Sequence, residues 1–199
     1  MIVPNLSTED LKKLPLRAIV ALAARCARRV EYLSFLPDGH ADRDRCRTAI
    51  DGAIRLGEDF ARGSPCRAVE SVIREVEACR AIAQGEYVRE TAVAAVVWTA
   101  HAAAAALDAA GLRDEPAEVD VMGTREPNPF PQLANVEADL AAREAFTAAV
   151  DAAGAAGHAD KFTRAAIQDY QALLELELGR YPEAGEPIDP SPSGPLGAL

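Results

Sequence analysis

Residues 88–111 read "VRETAVAAVVWTAHAAAAALDAAG", a stretch nearly without charge and apolar on every face of the helix it would form. Such a segment has few fates: a membrane span, a cradle for a cofactor, or a helix enclosed by other helices. A span needs roughly twenty apolar residues, most of them larger than alanine. The run from Ala92 to Leu107 is mostly alanine and is interrupted by Thr99 and His101, so no membrane role is expected. Small side chains let several helix axes approach at once. The stretch is therefore expected to be the central helix of a bundle, about residues 86–110, with Gly111 as its C-terminal cap.

The rest of the chain agrees with that expectation. Of its 199 residues 49% are hydrophobic but only 5% aromatic, and period-two runs of valine, isoleucine and threonine are missing. The spacing predicts an all-α fold, a single helical bundle of six to seven helices within residues 1–179. A short helix opens at "LSTEDLKKLP", capped by Ser7 or Thr8. A second follows Pro15, with Leu16, Ile19, Val20, Ala23, Ala27, Val30 and Leu33 on its apolar side and Arg17, Arg25, Arg28 and Arg29 mostly elsewhere. Residues 42–62 and 65–84 give two more, and the central helix is the fifth. A sixth is expected over 132–153 through Leu133, Val136, Leu140, Phe146 and Val150, and a seventh over 159–178 through Phe162, Tyr170 and Leu173. Residues 112–131 contain four prolines and read as a long loop; residues 180–199, rich in proline and glycine, read as a flexible tail.

The formal net charge is −10, and it is unevenly placed. Residues 1–111 carry 15 basic and 15 acidic side chains, whereas residues 112–199 carry 6 and 16. An acidic half repels phosphate backbones, which argues against nucleic acid, and it suits a basic protein partner. Asp114, Glu115, Glu118 and Asp120 in the long loop are the candidate partner-binding residues. Cys26, Cys46, Cys66 and Cys79 are too far apart for a metal site of ordinary spacing, so no metal is expected and structural thiols are the better reading. No cofactor is expected, because phosphate-loop, dinucleotide-binding, nucleophile-elbow and di-iron patterns are missing. The opening "MIVPNLSTED" lacks the basic start and apolar run of an export signal, so a reducing cytoplasm is expected.

One chemically distinctive group lies in the central helix. His101, with Trp98 one turn before it, is the candidate lining of a small-molecule pocket between helices. Positions one turn from His101 on its own helix are Val97, Trp98, Ala104 and Ala105, so any acidic partner has to come from elsewhere. A histidine hydrogen-bonded within a core is the commoner arrangement.

The segment "ALAARCARRVEYLSFLPDGHADRDRCRTAIDGAIRLGEDFARG" has an "A-x-x-C-A-x-x-V" helix, a short loop, then "R-x-A-I-x-x-A" running to "A-x-G". With the alanine-rich helices after it, over about residues 20–110, it resembles the predicted all-helical immunity proteins of bacterial polymorphic-toxin systems. That resemblance implies a non-catalytic bacterial protein that neutralises a toxin by binding it. Three functional expectations follow from the chain as a whole. The first is a protein-interaction module, in the immunity-protein form or another, that binds a basic partner. The second is a small-molecule-binding protein or enzyme with a pocket near His101. The third is a self-associating helical scaffold.

Overall fold

A computed structural model describes residues 6–112 and 131–199, with the side chains of 131 and 132 left out. Among the described residues it contains seven α-helices and no strand: α1 (Thr8–Leu11), α2 (Leu16–Val30), α3 (Arg43–Ala61), α4 (Val69–Ala83), α5 (Tyr87–Ala109), α6 (Pro131–Ala155) and α7 (Ala159–Glu175). A 3-10 turn over Glu31–Ser34 follows α2. The all-α bundle read from the sequence is thus the fold. Ser7 is the cap of α1, its hydroxyl accepting from the Asp10 amide while the Asp10 carboxylate accepts from the Ser7 amide. Asp114, Glu115, Glu118 and Asp120 lie outside the described residues.

α5 is the central helix, touching α2, α3, α4, α6 and the 3-10 turn. Its 23 residues make it long and apolar enough to cross a membrane by length and composition. What bears on the choice between span and core is burial: 78% of its most apolar window is enclosed by the protein. Alanine makes that enclosure feasible. Ala95, Ala100, Ala102, Ala103 and Ala106 are fully covered, and α6 answers with Ala138, Ala142, Ala145, Ala149 and Ala152. The tightest crossing is at Gly57 of α3, where a side chain would place its Cβ 3.0 Å from Thr99 Cγ2 on α5 and 3.4 Å from Ala24 Cβ on α2. The Thr99 hydroxyl is buried there within reach of the carbonyls of Ala95 (2.9 Å) and Ala23 (3.2 Å), so it binds α5 to α2 without an unsatisfied polar atom.

The face that α6 turns inward differs from the sequence expectation. Phe146 is buried as expected, but Leu133, Val136 and Leu140 are 57%, 52% and 46% exposed. The larger apolar side chains at this end of α6 point outward because the inward side must be thin enough to lie against α5. Alanine, which pattern reading weights lightly, marks the core side.

Two further differences concern α2 and the tail. Arg25, placed by the pattern on the polar side of α2, is 1% exposed. Its guanidinium grips the Asp169 carboxylate of α7 through Nε (2.8 Å) and Nη2 (3.1 Å) and donates to the carbonyls of Pro190, Leu196, Gly197 and Ala198. Every donor of the fork is used, which offsets the cost of burying it. The residues after 180, expected to be a flexible tail, are instead packed on the bundle. Pro15 gives α2 no side-chain cap, and the tail supplies one: the amides of Leu16 and Arg17 donate to the carbonyls of Glu183 (3.0 Å) and Ala184 (2.9 Å). Ile188 is buried, and its amide donates to Ala61 at the end of α3. Sequence reading missed this docking because carbonyl acceptors carry no side-chain signature.

At the α2–α3–α5 crossing, Gly57→Val should lower the unfolding free energy by about 1–3 kcal/mol through overpacking. A urea midpoint equal to or above that of the parent protein would show that the three helices are not in close contact there.

Candidate functional site

α4, α5 and α6 do not close on one another along their whole length. Beyond Trp98, α5 presents Ala104 and Ala105, and α6 presents Ala141; these side chains are too short to fill the gap to α4. The result is an open groove of about 580 Å³. Ile73 and Leu140 form apolar sides, Trp98 and His101 lie in it, and Asp108, Glu137 and Glu144 add carboxylates from both long helices. The exposed residues Leu133, Val136 and Leu140 repeat at helical spacing and extend the apolar strip along α6.

His101 and Trp98 both line this groove, with ring centroids 5.7 Å apart and planes tilted by 50°. The acidic partner that α5 lacks is Glu77 of α4, whose Oε1 is 3.1 Å from His101 Nε2. The imidazole and the carboxylate are 36% and 52% exposed, so the pair sits at the mouth of the groove rather than in the core. Glu77 escaped the sequence reading because it belongs to a neighbouring helix, and helix-to-helix pairing is not written in spacing. Glu144 is joined to Arg143 at 2.8 Å, so part of the rim is already neutralised.

No cysteine lines this groove. Burial pushes the thiol of Cys26 up to about 12 and that of Cys66 to about 11. Burial does the same to Cys79, about 12, reinforced by the neighbouring Cys46 thiol on α3. All four cysteines are free. Among the described residues no cluster of three or more histidine, cysteine, aspartate or glutamate side chains could hold a metal ion. Asp139 on α6 is 1% exposed, and its carboxylate oxygens have no hydrogen bond of good geometry. Its pKa is raised, chiefly by burial, with Lys12 and Tyr181 acting in the opposite sense.

The fold and groove together define an all-helical bundle with an acidic-rimmed apolar cleft. Compared with protein-family models, curated proteins and solved structures, the chain matches none.

Two outcomes follow from these groups. Because the folded pKa of Asp139 lies above its unfolded value, its contribution to stability is fully present below the unfolded pKa and is lost as pH rises through the folded one. Asp139→Asn should therefore raise the thermal midpoint at pH 7 and leave a smaller difference near pH 4; a lower midpoint at pH 7 would mean that the carboxylate has a native partner. The raised thiols predict that Cys26, Cys66 and Cys79 react with Ellman's reagent at pH 8 far more slowly in the native protein than in denaturant. Rapid native labelling of any of them would contradict that burial.

Proposed function

We propose that this chain is a non-catalytic interaction module whose α4–α5–α6 groove takes a basic amphipathic helix of a partner protein. The observation that carries the reading is the pairing of an exposed apolar strip, Leu133, Val136 and Leu140, with a groove bearing Asp108, Glu137 and Glu144 and the Glu77 carboxylate at its mouth. Exposed apolar side chains in helical register fit the apolar face of an incoming helix. Carboxylates around them favour lysine and arginine on its flanks and speed encounter. Asp114, Glu115, Glu118 and Asp120, which come after α5 in the sequence, are the further partner-binding residues of this proposal on sequence grounds. The resemblance of residues 20–110 to toxin-neutralising immunity proteins supports the more specific form of the proposal, in which the partner is a basic toxin and the site of action is the bacterial cytoplasm.

A second reading is favoured by the cavity itself. A volume of 580 Å³ with one tryptophan and a Glu77-paired imidazole is within the range of small-molecule sites. In that case Leu133 and Val136, which lie outside the cavity, would be irrelevant to binding, which separates the two proposals. Self-association through the strip is the third arrangement.

The chain has a single tryptophan, and it lies in the groove, so its fluorescence reports occupancy directly. A short amphipathic leucine–lysine peptide should shift Trp98 emission saturably, whereas a scrambled peptide of equal charge should not. Leu133→Asp combined with Leu140→Asp should weaken binding about tenfold or more without loss of fold, since both positions are exposed. Equal responses to both peptides, or an unchanged affinity in the double variant, would refute the helix-in-groove reading. Concentration-dependent dimer formation abolished by the same variant would replace it with self-association.

A further inference from the structure

Trp98 is the single tryptophan of a chain with few aromatic side chains, and the core does not enclose it. Phe60, Phe146 and Phe162 are buried, whereas Trp98 is only partly covered and lines the α4–α5–α6 groove. Further along the same side of α5 the lining residues are Ala104 and Ala105, so the indole borders the open part of the groove.

The surroundings of the ring are anionic. Its centroid is 5.7 Å from that of His101, and His101 Nε2 is 3.1 Å from Glu77 Oε1, so indole, imidazole and carboxylate form one row. Glu137 and Glu144 line the same groove from α6. An aromatic face among carboxylates attracts a cation through the ring quadrupole and through the negative field around it. The chain places none of its own there. Among the described residues the aromatic ring that carries a cation is Phe35, with the Arg47 guanidinium 5.5 Å from its centroid, and Arg143 is held by Glu144 at 2.8 Å.

We infer that Trp98 is the specificity-determining residue of the groove and selects arginine over lysine at one position of the incoming helix. The inference rests on the helix-in-groove reading and adds to it the identity of one side chain. A guanidinium is flat and weakly hydrated, so it lies on an indole face while its edge donors remain free for a carboxylate such as Glu77. An ammonium offers neither the flat face nor the fork, and it holds its water more strongly. Exposed carboxylates with no ring beside them distinguish the two cations little, so the preference belongs to the position over Trp98.

The test starts from the leucine–lysine peptide. Each lysine is replaced by arginine in turn, and affinity for the full chain is measured by calorimetry. Arginine at one position should tighten binding about fivefold or more, and at the others less than about twofold. Trp98→Leu should weaken the peptide and reduce the gain at that position to about twofold or less, whereas Trp98→Phe, which keeps an aromatic face, should retain part of it. If Trp98→Leu does not fold, the scan and Trp98→Phe decide. A flat scan, an equal gain at every position, or a gain undiminished in the Trp98 variants would overturn the inference and leave the groove reading standing. A parent peptide that binds no better than its scrambled form would overturn both.

Discussion

The thinness of α5 is the constraint on which the rest of the molecule depends. A helix that touches four others cannot carry large side chains at the closest points of contact, since interaxial distances of roughly 8–10 Å leave room there for little more than a methyl group. The chain meets this with alanine on α5 and α6, with Gly57 on α3, and with Thr99, the polar residue buried at that crossing, which satisfies its hydroxyl on backbone carbonyls. The same economy has a consequence on the far side. Where α4 does not follow α5 closely, Ala104, Ala105 and Ala141 leave the space unfilled, and the groove results. Close packing and the candidate site thus have one cause.

The second organising element is ionic. Arg25 and Arg29 of α2 converge on Asp169 of α7, and Arg25 also gathers carbonyls from the last residues of the chain. A buried ion pair of this kind is not by itself a source of stability, because desolvation offsets much of the attraction. Its geometric demand is specific, however. Five donors in a rigid fork can be satisfied only when α7 and the segment after Pro190 are both in place. Removing Asp169 would leave two buried guanidiniums facing each other, so the arrangement punishes misassembly more than it rewards assembly. That selects one packing of α7 and the tail from among the many that alanine-rich surfaces would tolerate.

How far the sequence shows this structure depends on the range of the interaction. Helix positions were legible because caps, prolines and terminal glycines act within a few residues: Ser7 with Asp10, and Gly111 after α5. The inward face of α6 was not, because Leu133, Val136 and Leu140 satisfy the same periodicity whether they face core or solvent, and alanine decides only when the neighbouring helix is known. Arg25 looked like a surface residue because its partner is 144 positions away. His101 and Trp98 stand one turn apart in the sequence of α5, whereas Glu77, the partner of the imidazole, is visible only in the packing of α4 on α5. The loop carboxylates from Asp114 to Asp120 lie outside the described residues, so their part in any acidic surface rests on sequence alone.

The carboxylates and the buried guanidiniums are separated for a physical reason that the helix packing supplies. Asp108, Glu137 and Glu144 lie where three helices part, with Glu77 beside them through its contact with His101. Arg29 lies where α2 is covered by α7, and it shares the Asp169 carboxylate with Arg25. An exposed acidic rim gains from a large partner, because long-range attraction acts before contact. The difference in burial separates an acidic surface open to solvent from a cation enclosed between two helices.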